Sequence, residues 1–83
     1  MKVKVLFFGA TADSVGKRET EISLGENTDA ANALDAIFGE FPDLEKNHER
    51  KSLHFSVNHE YADGKEIIQE GDELAVFTAV SGG

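Results

Sequence analysis

Apolar and polar side chains alternate along four stretches of the chain, residues 2–8, 18–24, 53–58 and 74–78. Successive side chains of a strand point to opposite faces, so this alternation predicts four strands that each bury one face. The residues assigned to the buried face are Val3, Val5, Phe7, Ile22, Leu24, Leu53, Phe55, Val57, Leu74 and Val76. We expect the first two strands to form a hairpin, with residues 9–17 as the connecting loop.

One stretch of the chain, residues 30–41, has the spacing of an amphipathic helix. Its apolar residues recur at intervals of three and four positions, at Ala30, Ala33, Leu34, Ile37, Phe38 and Phe41. We expect Thr28 or Asn27 to cap the start of this helix, with Asp29 in its first turn. Pro42 is expected to stop the helix, because proline cannot continue a helix interior.

The segment after the helix, residues 43–51, is polar except for Leu44, so we expect an exposed loop or surface turn anchored by that residue. A turn is predicted at Asp63-Gly64. The resulting order of elements is strand, strand, helix, strand, a short segment and a final strand. One helix packed across one mixed sheet, an α+β architecture, is an economical two-layer solution for this length.

The length of the chain, 83 residues, suits one compact domain. We assign residues 1–77 to that domain and residues 78–83 to a flexible C-terminal tail. A domain of this size buries only about 60% of the surface of its unfolded chain. Little is left over to wall a deep pocket, so the size favours a module that acts on partners over a self-contained enzyme.

Composition excludes several kinds of site. Cysteine is absent, and His48, His54 and His59 lack the spacing of a zinc site, so no metal site is expected. Sixteen acidic against eight basic residues give a net charge of −8, which disfavours nucleic-acid binding. No apolar run approaches the ~20 residues that cross a bilayer, and no secretion signal is recognisable, so we expect a cytoplasmic protein without a membrane partner.

The C-terminal sequence, residues 80–83 (VSGG), is the strongest candidate for chemistry. Gly82 and Gly83 have no Cβ, so their backbone can enter a channel that other residues would block. A C-terminal carboxyl group has a pKa of about 3.5, so it is ionised at neutral pH and must be activated before any acyl transfer. Composition alone favours an ordinary frayed terminus, because flexible ends are common.

Strand phase gives a second indication beside this tail. If Leu74 and Val76 face the core, Phe77 lies on the outward face, and Phe8 lies on the outward face of the first strand. Two outward aromatic residues near the C-terminus predict a docking patch for a partner. The alternative is that a loop covers one or both rings.

Residues 4–8 (KVLFF), 70–77 (EGDELAVF) and 80–83 (VSGG) together resemble the small subunit of molybdopterin synthase, the MoaD family. The resemblance spans essentially the whole chain. It implies a ubiquitin-like β-grasp fold, with a mixed sheet of four to five strands and one main helix packed across it.

The resemblance also implies a sulfur-carrying cycle. An E1-like adenylating enzyme (MoeB-like) would use ATP and magnesium to adenylate the carboxylate of Gly83, and a sulfur donor would convert it to a thiocarboxylate. The large subunit of molybdopterin synthase (MoaE-like) would receive the tail and use the sulfur to convert cyclic pyranopterin monophosphate into the molybdopterin dithiolene. This chain would bind no cofactor and would meet its partners through Phe8, Phe77, Val80, Ser81 and Gly82.

Two departures from the family pattern stand out. Ala12-Asp13 replaces an Arg-Glu pair that bears on a salt bridge with the partner, and Thr78-Ala79 replaces Pro-Pro, which leaves the tail more conformational freedom. Three alternatives remain open: sulfur carriage for thiamine synthesis or transfer RNA thiolation, conjugation to lysines as a ubiquitin-like modifier, and a binding module with an inert tail.

Overall fold

The computed structural model describes residues 1–78, and residues 79–83 lie outside the described residues. The strands are β1 (Lys2–Phe7), β2 (Glu19–Ser23), β3 (Leu53–Val57), β4 (Glu60–Tyr61) and β5 (Glu73–Thr78). The helices are α1 (Ala10–Val15), α2 (Ala30–Glu40) and α3 (Asp43–Asn47), followed by a 3₁₀ turn at Arg50–Ser52. No helix within residues 1–78 combines the length and the apolar character that crossing a bilayer requires.

The strands form one mixed sheet in the order β2-β1-β5-β3-β4. β1 pairs antiparallel with β2, which confirms the predicted hairpin. The central pair, β1 and β5, is parallel, with Val5 opposite Leu74, and β3 joins β5 antiparallel on the other side. The first and last strands of the chain are therefore neighbours in the middle of the sheet.

The core lies between the sheet and α2. The predicted inward residues of the central strands are almost completely buried, with Val5, Leu74 and Val76 at 0% exposure. From α2, the side chains that face the sheet are Ala30, Ala33, Ile37 and Phe38. The predicted α+β architecture of one mixed sheet crossed by one main helix is confirmed.

Residues 9–17, expected to be a loop, contain the short helix α1. Gly9 (φ 55°) and Gly16 (φ 84°) flank it with backbone angles that residues with a Cβ rarely adopt. The Gly16 N–H closes the helix on the Ala12 carbonyl at 2.8 Å. Six residues are too few to show a helical period, which is why the pattern missed this element.

The start of α2 differs by one or two residues from the prediction. Asp29, not Thr28 or Asn27, is the N-cap, and its carboxylate accepts a hydrogen bond from the Asn32 N–H at 2.8 Å. The Thr28 hydroxyl instead donates to the Gly25 carbonyl. The helix ends at Glu40, two residues before the proline that was expected to stop it.

Residues 43–51, expected to be a loop or surface turn, form α3 and the start of the 3₁₀ turn. Leu44 is completely buried, which confirms it as the anchor. The guanidinium of Arg50 lies 2.7 Å from Asp35 and stacks over the Phe38 ring at 4.3 Å, so this segment is fastened to α2. Arginine is suited to this role, because its planar group pairs and stacks at once.

Two adjacent isoleucines test the assigned burial directly. Ile68 is 2% exposed and Ile67 is 51% exposed. Replacing Ile68 with alanine leaves a cavity, so we expect Ile68→Ala to lower the free energy of unfolding by about 2–5 kcal/mol. Ile67→Ala is the matched control and should change it by less than about 1 kcal/mol. Urea unfolding of both variants measures the difference, and equal losses would contradict the assignment.

Candidate functional site

The face of the sheet opposite α2, here called the outer face, is not covered by any helix within residues 1–78. The register places Leu6, Ala75, Ser56 and Tyr61 in one row across four neighbouring strands. A second row, nearer the end of β5, contains Phe77 opposite His54, with Phe8 just beyond the end of β1. A third row, at the start of β5, pairs Glu73 with Lys4.

These rows enclose a depression of about 620 Å³, here called the outer groove. Its lining includes Phe8, Phe77 and Tyr61 as large apolar groups. Phe8 is 52% exposed and Tyr61 is 73% exposed, which is unusual for aromatic side chains in so small a domain. An exposed apolar concavity of this kind is typical of surfaces that dock partners.

Three aromatic rings support one wall of the groove. The His54 and Phe77 rings stack with centroids 5.7 Å apart, and Tyr61 lies 5.8 Å from His54 and 5.7 Å from Phe77. Such ring contacts limit the rotamers that each side chain can adopt. The Phe77 ring is therefore held in place next to the end of β5.

The hydroxyl of Thr11 fixes the other wall, where β1 ends. Lys4 N–H donates to the Asp72 carbonyl at 3.2 Å, and two further steps of this ladder would bring Phe8 N–H to the Val76 carbonyl. Instead, Phe8 N–H donates to the Thr11 hydroxyl at 3.0 Å, and that hydroxyl donates to the Val76 carbonyl at 2.8 Å. Thr11 is completely buried, so its hydroxyl ties α1 and the backbone of Phe8 to β5.

A tight turn between β3 and β4 forms the far end of the groove. Asn58 (φ 51°) and His59 (φ 72°) both have positive φ, the pattern of a type I′ hairpin turn. The Asn58 side chain donates to Asp72 at 2.9 Å and accepts from the Glu73 N–H at 3.0 Å. His59 Nε2 then lies 3.2 Å from Glu73 Oε1.

No group of three or more His, Cys, Asp or Glu side chains within residues 1–78 could hold a metal ion. The clearest electrostatic perturbation lies outside the groove, at Glu66. The Asp63 N–H donates to the Glu66 carboxylate at 2.8 Å and holds its pKa below the usual range. This carboxylate stabilises the turn at residues 63–66.

Of the predicted site residues, the structure brings Phe8 and Phe77 together on the outer groove. Val80, Ser81, Gly82 and Gly83 lie outside the described residues, and their roles stay predictions. β5 includes Thr78, which also lines the groove.

The sequence analysis missed three contributors, Tyr61, His54 and Thr11. Strand alternation did place His54 on the outward face, and that signal could have drawn it into the patch. Tyr61 sits in a strand of two residues, which is too short to produce an alternation signal. Thr11 bonds to a residue 65 positions away, and no local pattern carries that information.

Comparisons with known proteins agree over nearly the whole chain. Residues 5–83 match the ThiS family. A relative from Caenorhabditis elegans, described as a molybdopterin synthase sulfur carrier subunit, is 37% identical, with 100% of this chain and 99% of that protein covered. SAMP1 from Haloferax volcanii superposes with a TM-score of 0.87 at 29% identity, with 100% of both chains covered.

A third likeness concerns the fold alone. A chain from the complex of subunits 1 and 2 of molybdopterin-converting factor from Helicobacter pylori gives a TM-score of 0.71 at 24% identity, with 100% of both chains covered. Together the structural likenesses confirm the predicted ubiquitin-like β-grasp fold.

The role of the Thr11 hydroxyl can be tested with two substitutions. Thr11→Val keeps the shape but leaves the partly buried Phe8 N–H and the buried Val76 carbonyl without this partner, which should lower the free energy of unfolding by about 1–3 kcal/mol. Thr11→Ser keeps the hydroxyl. We expect the Phe8 amide to exchange its hydrogen faster in Thr11→Val than in Thr11→Ser, measured by native-state hydrogen exchange. Equal protection in the two variants would show that the hydroxyl does not hold Phe8.

Proposed function

This chain belongs to the ThiS family, and from that premise we propose that it is the sulfur-carrier subunit of a molybdopterin synthase, reacting through the carboxylate of Gly83. One observation carries the proposal: the C. elegans sulfur carrier is 37% identical and aligns with all of this chain, residue 83 included. The family membership confirms the resemblance noted from the sequence. The sulfur-carrier role agrees with the description of that relative.

The proposed chemistry begins with a poor electrophile. The ionised carboxylate of Gly83 attacks the α-phosphorus of ATP on an E1-like adenylating enzyme, which holds the magnesium, and pyrophosphate leaves. Hydrosulfide from a sulfur donor then attacks the carbonyl carbon of the acyl adenylate, the bond from that carbon to AMP breaks, and loss of the remaining proton leaves a thiocarboxylate on Gly83. This chain holds no cofactor in this scheme, because its own contribution is the acyl group and its presentation.

The described residues limit where that acyl group can act. β5 ends at Thr78 on the edge of the outer groove, so five residues separate the sheet from the terminal carboxylate. A fully extended chain covers at most ~3.6 Å per residue, or roughly 18 Å over those five. A partner that docks on the groove must therefore place its catalytic groups within that distance of Thr78.

We assign partner docking to Phe8 and Phe77, with Val80, Ser81 and Gly82 entering the partner's channel. Large aromatic side chains at the centre of an interface commonly supply much of its binding energy. The proposed partners are the large synthase subunit, the adenylating enzyme and a sulfur donor, all in the cytoplasm. The H. pylori complex of subunits 1 and 2 of molybdopterin-converting factor supports the first of these.

A second candidate function is protein modification. It is favoured by the likeness to SAMP1 from H. volcanii, a protein also described as small archaeal modifier protein 1. In this alternative, a lysine amine of a target attacks the same acyl adenylate, AMP leaves, and an isopeptide bond forms. Target peptides that carry a Gly-Gly remnant on lysine would favour modification over sulfur carriage.

Deleting Gly83 tests the reactive group. The deletion draws the terminal carboxylate back by about 3.5 Å, and a misplacement of only 1 Å can cost 10²-fold in rate. We expect the wild-type chain, incubated with the adenylating enzyme, ATP, magnesium and a sulfur source, to gain the mass difference between sulfur and oxygen. The truncated chain should stay unmodified.

Intact mass spectrometry reads this result, and circular dichroism checks that the truncated chain keeps its fold. A wild-type chain that stays unmodified under these conditions would contradict sulfur carriage. A truncated chain that is modified and still supports synthesis of molybdopterin would contradict the assignment of Gly83.

Truncating Phe77 tests the docking face. Removal of a central aromatic group should weaken binding to the large subunit about tenfold or more, because truncating an aromatic hot spot costs about 2 kcal/mol or more and each 1.4 kcal/mol is tenfold. Ile67→Ala removes an exposed apolar side chain outside the outer groove and is the matched control. Calorimetric titration gives the dissociation constants. Unchanged affinity for Phe77→Ala would place the docking surface elsewhere.

A further inference from the structure

The floor of the outer groove is made of two small residues that face each other across neighbouring strands. Ala75 on β5 pairs with Ser56 on β3, and both are less than 10% exposed (8% and 7%) because the larger groups around them rise above them. Phe8, Phe77 and Tyr61 form those surroundings. The small residues between these larger ones leave a low point in the floor of the groove, here called the socket, where a side chain of a partner can pack.

A single carboxylate stands at one end of this socket among the described lining residues. The Glu73 side chain is 32% exposed, so it is already partly withdrawn from water. Lys4 lies opposite Glu73 on β1, but its ammonium is directed to the other side. It lies 3.6 Å from the carboxylate of Glu19 on β2. Within residues 1–78, the basic side chain within ion-pair distance of Glu73 is His59, whose imidazole carries a charge only when it is protonated.

His59 is placed there by its turn but is itself open to solvent. Its side chain is 82% exposed, although the backbone around it is fixed by the hydrogen bonds of Asn58. An exposed side chain on a fixed backbone can rotate away at little cost. An arginine or lysine side chain arriving at Glu73 can therefore take its place.

A partner that covers this groove changes the energetics of Glu73. Excluding water from a carboxylate is costly unless a counter-charge and hydrogen bonds replace it. A partner that brought only apolar groups would bury Glu73 without compensation, while one that brought a basic group would gain an ion pair in a less polar environment. The net charge of −8 favours the approach of such a basic surface.

We propose that the groove accepts one bulky apolar side chain of a protein partner over Ala75 and Ser56, with an adjacent arginine or lysine paired to Glu73. The inference rests on the proposed function, because it takes the large synthase subunit as that partner. It adds the chemistry of the partner's surface: an apolar side chain for the socket and a basic one for its acidic end. Glu73 then acts in specificity, since it penalises partners that lack the basic group.

Filling the socket tests the first half of the proposal. Ala75→Leu adds volume on the floor of the groove without removing any docking group. A partner side chain would then meet a site that is already filled, which costs binding free energy. We expect the dissociation constant for the large subunit to rise about tenfold or more. Ala36→Leu, the same change on the exposed side of α2, should leave it unchanged. Ser56→Val fills the same floor from β3 and serves if the first variant unfolds.

Neutralising Glu73 tests the second half. Glu73→Gln keeps the size of the side chain, so we expect weaker binding and a shallower dependence of the dissociation constant on salt concentration. Glu40→Gln, on the exposed side of α2, is the matched control and should keep the wild-type values. Thermal unfolding confirms that each variant is folded.

The outcomes separate this inference from the function on which it rests. A wild-type chain that does not bind the large subunit overturns the proposed function, and this inference with it. If the wild-type chain binds and the filled-socket variants bind equally well, only the proposal that the socket accepts a side chain is contradicted. If Glu73→Gln leaves both the affinity and its salt dependence unchanged, the proposed pairing of Glu73 with a basic group of the partner is wrong.

Discussion

Parallel pairing between the first and last strands is the constraint on which the rest of this molecule depends. β5 lies in the middle of the sheet, with β1 on one side and β3 on the other, and its inward side chains are completely buried. Because these contacts join residues about 70 positions apart, the strand next to the C-terminus is held by the whole domain. The last residue of that strand, Thr78, is therefore held at a fixed position in the sheet.

Within residues 1–78, the helices pack on one face of the sheet and leave the other face open. The main helix, α2, covers the inner face, and α3 and the 3₁₀ turn are fastened to it through Arg50. The described residues supply no second helical layer for the outer face. The aromatic groups there limit one another's rotamers, so the surface is ordered without being covered. A small domain with an open, ordered face is suited to docking several partners in turn.

The sequence predicted the features that follow from local alternation and periodicity. Side-chain direction within a single element decides three of these features. They are the inward-facing residues of β1 and β5, the buried face of α2, and the outward position of Phe77. The features that were missed depend on contacts distant in sequence. α1 is held by the bond between the Thr11 hydroxyl and the Val76 carbonyl.

The choice of Asp29 over Thr28 as the N-cap has a similar origin. The Ala30 N–H donates to the Glu66 carbonyl and the Ile68 N–H donates to the Thr28 carbonyl, so a distant segment fixes the backbone at the helix start. Neighbouring residues with similar capping preference cannot be told apart by local sequence. The socket at Ala75 and Ser56 could not be predicted from local sequence either, because it forms only when β3 and β5 pair in this register.

The central claim is that the outer face, at the end of β5, is the surface on which partners dock. Chemical-shift mapping of the ¹⁵N-labelled chain, titrated with the large synthase subunit, tests it most directly. The account predicts that perturbed amides cluster around Phe8, Ala75 and Phe77, while those on the exposed side of α2, such as Ala36 and Gly39, keep their positions. Perturbations concentrated on α2, with the outer face unchanged, would contradict it.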